Sequence, residues 1–220
     1  MLEVVGWYGD REVVPLLRRY VRYEWPRQYY ASEDEEYVRQ IKRYNERVRL
    51  KAAAALLALG DADTALPVLE ELAKEGKTAA LGYIFHNMIG TKWQARGIAI
   101  IRKALEYKNN ESKALAALFL IRLTKEGYVK EDLNKLKEVL INLSEDILEK
   151  KKWDINIHGY NDRRVLGTVI TALKELKSKE AIPVLERIAN HPDASYLKQW
   201  VNEAIEAIDV SSSKKEGEDE

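Results

Sequence analysis

The sequence predicts an all-α chain, a right-handed α-α superhelix of about five helical pairs closed by a C-terminal capping helix. Three observations predict it. Apolar residues recur at the three-four spacing of a helix with one buried face, as in Val48, Ala52, Ala55, Leu56 and Leu59. Glycines punctuate these runs at Gly60, Gly76, Gly90 and Gly127, where a residue without a β-carbon lets a helix end. One short phrase also recurs. Ala65-Leu66-Pro67-Val68-Leu69-Glu70-Glu71-Leu72-Ala73 is matched position by position by Ala181-Ile182-Pro183-Val184-Leu185-Glu186-Arg187-Ile188-Ala189.

Val13-Val14-Pro15-Leu16-Leu17 repeats the start of the phrase, and Gly97-Ile98-Ala99-Ile100-Ile101 copies it without the proline. A fainter copy lies at residues 133–140. The step from the Ala65 copy to the Gly97 copy is about thirty residues, the length of one helical pair. An alanine-rich helix, a Gly60-Asp61 turn and a second helix carrying Pro67 resemble the HEAT-like repeat, especially its phycobilin-lyase type. The resemblance spans most of the chain and implies a solenoid. It implies no lyase activity, because such repeats serve many proteins that lack it. HEAT-like folds also include alkylpurine DNA glycosylases, which are similar in architecture only, and no residue here aligns with their catalytic aspartate and tryptophan.

Residues 1–8 read as the last turns of a first helix, so the first repeat is incomplete. An open solenoid end exposes apolar surface, and the expectation is that another chain or a self-dimer covers it. A helix from about Glu12 ends before Pro26, which biases Trp25 away from helical backbone. Ser32 with Glu35 makes a capping box that starts a long helix to about Leu59. Val38, Ile41, Asn45, Val48, Ala52 and Leu59 face inward on it, and Arg39, Arg43 and Arg47 line the other side. Asp61 or Asp63 caps the next helix, with Pro67 in its first turn, where the missing N–H costs little.

Residues 78–88 are apolar almost all round, as in a central helix. Helices at 92–107, 111–124 and 130–143 follow, and Ser144 either breaks the last or caps a short continuation to Lys150. The connector 150–161 is longer than a repeat needs. Asn161 or Asp162 caps a helix carrying Val165, Leu166, Val169, Ile170, Leu173 and Leu176, and the Pro183 helix returns. Pro192-Asp193 opens the capping helix, whose buried stripe is Leu197, Trp200, Val201, Ala204, Ile205 and Ile208. Residues 1–210 therefore form one domain, and the polar tail 211–220 is expected to be disordered.

Composition narrows the function classes. Lys+Arg and Asp+Glu both number 36 in 220 residues, so the net charge is zero, which argues against an indiscriminate binder of polyanions. Cysteine is absent, which removes disulfides, zinc-thiolate sites and thiol nucleophiles. No apolar run reaches the roughly 18 residues of a membrane span, and residues 1–8 lack the pattern of a signal peptide, so the expected location is cytoplasmic. Many Lys, Arg and Glu with only 2 Met resemble proteins from hot environments.

The sharpest functional stretch interleaves arginine and aromatics: Arg18, Arg19, Tyr20, Arg22, Tyr23, Trp25, Arg27, Tyr29 and Tyr30. Such residues are protein-interface hot spots, which predicts a non-catalytic scaffold or adaptor that holds another protein in the solenoid groove or at the N-terminal end, anchored by Arg22, Tyr23, Trp25, Arg27, Tyr29 and Tyr30, with Trp153 and Tyr160 second. They also neutralise phosphates and stack on bases, so nucleic-acid binding or DNA repair is the alternative, through Arg18, Arg19, Arg22, Arg27, Arg39, Arg43 and Arg47. The bland outcome is that Tyr20 and Trp25 pack in the core while the arginines pair with acids at 33–36. No metal, cofactor or catalytic motif is present among the 3 histidines. His86 reads as a core histidine and His191 as a turn residue. A second alternative is an enzyme whose site lies in the connector around Asp154, His158 and Tyr160.

Overall fold

Helices form where the apolar spacing places them in residues 11–24, 26, 30, 34–150 and 161–216, the part of the chain described by a computed structural model. The α-helices among these residues are α1 (Val14–Tyr20), α2 (Glu35–Ala58), α3 (Ala62–Lys74), α4 (Ala79–Met88), α5 (Gln94–Lys103), α6 (Asn110–Lys125), α7 (Leu133–Leu148), α8 (Asn161–Leu176), α9 (Ile182–Asn190) and α10 (Lys198–Glu216). No strand occurs among them, and no described helix is long and apolar enough to cross a membrane. The chain divides into two compact units, Met1–Ile101 and Arg102–Glu220, where the sequence suggests one.

In the first unit α1 packs on α2, α2 on α3 and α3 on α4, while α2 also touches α4. Every side chain from 52 to 57 is buried, and four of these six are alanines, so neighbouring backbones can approach α2 from several sides. Gly60 then takes φ +85°, which an L side chain rarely adopts, and the turn closes with Asp61 N–H donating to Leu56 C=O at 2.8 Å. The cap of α2 is Asp34 rather than Ser32. Its carboxylate accepts from the N–H groups of Glu36 and Tyr37 at 2.9 and 3.1 Å, and Ser32 lies outside the described residues.

Pro67 lies deeper than the sequence suggests. Around Pro15 and Pro183 a 3-10 turn (Arg11–Val13 and Lys179–Ala181) precedes the α-helix, so each proline falls in its first turn. The tight turn at Gly60 lets α3 begin at Ala62, which leaves Pro67 inside it. The ring is exposed, so it meets solvent instead of a neighbouring helix.

Asp61 stands at the start of α3 but spends its carboxylate elsewhere. It accepts from Arg18 Nε at 2.8 Å and from Thr64 Oγ1 at 3.1 Å, and it makes no side-chain cap bond. Burial acts to raise its pKa; the bonds from Arg18 and Thr64 and the Arg18 charge outweigh that and hold it below the usual carboxylate value. A folded-state pKa below the unfolded one gives stability that is complete above the unfolded value and lost as pH falls through the folded one. Melting temperature is therefore expected to drop less between about pH 5 and about pH 3 in Asp61→Asn than in the wild type; equal drops would remove Asp61 from the acid transition.

In the second unit each helix meets the next but one: α6 packs on α8, α7 on α9 and α8 on α10. Adjacent helices also pack, α6 on α7, α7 on α8 and α9 on α10. α6 is buried on most sides through Ala114, Ala116, Ala117, Leu118, Phe119, Leu120, Ile121 and Leu123. Ser144 neither breaks nor caps α7. It is buried inside one continuous helix, and its Oγ donates back to Leu140 C=O at 3.0 Å. Lys150 Nζ donates to the buried Asp162 Oδ1 at 2.7 Å, joining the second residue after α7 to the first turn of α8. α10 continues to Glu216, into the stretch expected to be unstructured.

Candidate functional site

The arginine-aromatic stretch is only partly assembled as a surface. Trp25, Arg27 and Tyr29 lie outside the described residues, as do Trp153, Asp154, His158 and Tyr160. Arg18 is committed to Asp61, not to the acids at 33–36. Tyr20 and Tyr23 are half-buried with ring centroids 5.9 Å apart, and Arg19 and Arg22 beside them are exposed, with no ion pair among the described residues. Tyr30 is turned to the interior: its hydroxyl accepts from Asn45 Nδ2, and Asn45 is buried in α2. That engagement counts against Tyr30 as a contact anchor. Arg49, from α2, donates to Val21 C=O at 3.1 Å and to Glu71 at 2.9 Å, which fixes the end of α1 against α2 and α3.

The arginine row on α2 divides in the same way. Arg39 and Arg43 both lean on Glu36, at 3.3 and 3.9 Å, whereas Arg47 is exposed with no ion pair among the described residues. Alongside that row stand two exposed tyrosines, Tyr37 and Tyr44, which the sequence reading passes over. Their signal was present as a seven-residue interval, two turns of one helix face.

A different patch lies at the start of α10. Tyr196 and Trp200, one turn apart, are 45% and 54% exposed, and Val210 further along is exposed as well. The expected buried stripe includes Trp200 and Ile205, but the former is exposed and the latter half-buried, and the buried arc is narrower, made of Leu197, Val201, Ala204 and Ile208. The indole sits at its edge over Gly167 of α8, with a ring carbon 3.3 Å from where a β-carbon there would be. The guanidinium of Arg163 lies 4.6 Å from the Tyr196 ring centroid. Burial pushes the Tyr196 hydroxyl up to about 12, with Arg163 opposing and Asp193 adding to the shift, so the ring is neutral at ordinary pH.

His86 is exposed on α4 rather than buried, edge-on to Phe85 with centroids 5.1 Å apart. His191 is a turn residue as expected: its Nδ1 accepts from Asp193 N–H at 3.2 Å. No group of three or more His, Asp or Glu among the described residues could hold a metal ion. Comparison of the chain with known proteins finds no matching family model, no curated relative and no solved structure.

Proposed function

We propose that this chain is a non-catalytic scaffold, a right-handed solenoid of HEAT-like helical pairs that binds another protein. The repeat reading draws support from buried leucines at matching places in the repeated phrase, Leu69 and Leu185, and from next-but-one helix packing within each unit. One observation carries the binding reading: Tyr196, in the 3-10 turn that leads into α10, and Trp200, in the first turn of α10, stand exposed together, whereas Leu197, Val201 and Ile208 beside them are buried. Trp, Tyr and Arg dominate the energetics of protein interfaces, and here Arg163 underlies Tyr196. The nucleic-acid reading of stretch 18–30 has less support, because Arg18 is held by Asp61 and Tyr30 by Asn45.

The test is affinity capture from native lysate with and without nuclease, comparing wild type with Trp200→Ala. A stoichiometric protein that survives nuclease is expected, with affinity falling by about 2 kcal/mol or more in the variant, as at an interface hot spot. The melting temperature should barely move, since the indole is more than half exposed. Capture that is indifferent to Trp200 would remove this face from the reading, and capture of nuclease-sensitive material with no stoichiometric protein would replace it.

A further inference from the structure

We propose that the solvent-facing side of the first half of α2 binds single-stranded nucleic acid, with Tyr37 and Tyr44 as base-stacking platforms and Arg47 and Arg43 on the phosphates. Residues 37, 40, 44, 47 and 51 recur at steps of three and four, which places Tyr37, Gln40, Tyr44, Arg47 and Lys51 in one stripe along the helix. The two rings stand 39% and 53% exposed. At the rise of an α-helix their Cα atoms are about 10 Å apart along its axis. Lys51 ends the stripe beside a third ring on α4, donating to the Tyr83 hydroxyl at 3.0 Å with Nζ 5.7 Å from its centroid.

The character of this stripe decides its ligand. It holds phenols, an amide and cations, with no aliphatic side chain and with Glu36 at its edge beside Arg43, whereas the α10 stripe offers Trp200 and Val210. Tyr and Arg serve protein interfaces as well, but there they work around a desolvated apolar centre, which the α2 stripe lacks. A single strand instead offers unstacked bases, which lie on any aromatic face, and phosphates, which arginine chelates. Glu36 holds Arg39 and Arg43 only through solvent-exposed ion pairs, which are weak and readily exchanged for phosphate. A duplex keeps its bases stacked and could use the cations alone.

The probe is a fluorescein-labelled oligo-uridylate of about twelve nucleotides, a length within the usual site sizes, read by anisotropy against a duplex of the same length. The full chain is expected to prefer the single strand, and Tyr37→Ala and Tyr44→Ala each to weaken it about tenfold. Arg47→Ala should lower the slope of log affinity against log salt by about 0.7. Glu36→Gln should tighten binding and steepen that slope by releasing Arg39 and Arg43, a gain that a misfolded variant cannot mimic. Absence of oligo-uridylate binding would overturn the proposal. So would equal affinity for the duplex, or binding that ignores both tyrosines.

Discussion

Leu69→Ala is expected to cost about 3 kcal/mol of stability, and Leu185→Ala about the same. Both leucines are fully buried, and both occupy the fifth place of the repeated phrase, on α3 and α9. Each truncation removes buried methylenes and leaves a cavity that a close-packed interior fills only in part, which is why measured costs of such changes run from about 2 to about 5 kcal/mol. Equality between the two is the informative part. If the phrase repeats because it solves the same packing problem twice, the two sites should respond alike. Urea unfolding checks this, with the transition followed by more than one probe, because two compact units need not unfold in a single step. A cost near 3 kcal/mol at Leu69 with less than about 1 at Leu185 would mean that the letters recur without the packing.

The helical frame was legible because its signals are local. A run of alanines followed by Gly60 and Asp61 specifies a helix, its end and the next beginning within a few residues, and the left-handed glycine appears where the sequence needs it. The same locality hides Pro67: nothing in the phrase reveals that the helix around it starts at Ala62 rather than after a 3-10 turn, as it does around Pro183. That choice depends on how short the preceding turn is. Ser32 and Asp34 are both good caps by composition, and only the backbone path selects Asp34.

Exposure was harder to read than secondary structure, and the candidate sites depend on it. The apolar run around His86 suggested burial on every side, but α4 leaves Ala79 and His86, seven residues apart, facing solvent. Trp200 fits the apolar spacing of α10 yet lies at the edge of an arc set by the width of the neighbouring helices, which no periodicity records. On α2 the tyrosines recur at a seven-residue interval, a sparser signal than the arginines at four-residue intervals. Ion pairs reordered the cations further, since Asp61 and Glu36 reach Arg18, Arg39 and Arg43 through tertiary or neighbouring-turn geometry and leave Arg47 exposed.

The second large effect is a reversal of sign between two glycines. Gly97→Ala is expected to destabilise by about 1–3 kcal/mol, although alanine is by itself the better helix former by about 1 kcal/mol. A β-carbon at Gly97 would lie 2.9 Å from both Cβ and Cγ of Met88 and 3.2 Å from Ile84 Cγ2, so α4 and α5 would have to separate. The Met88 Cβ is fixed to its backbone and cannot swing aside as the end of a long side chain could. Gly82, inside α4, has nothing within 4 Å of its would-be β-carbon. There the same substitution meets no obstacle and should stabilise by up to about 1 kcal/mol through helix preference and a less disordered unfolded chain. Paired urea titrations read the difference directly, and a stabilising Gly97→Ala would mean that α5 does not sit this close to α4. The contrast also bears on the repeat. Gly97 stands where two other copies carry Ala65 and Ala181, both fully buried, and where the first copy carries the half-buried Val13. In the copy without a proline, Met88 and Ile84 come close enough that only glycine fits.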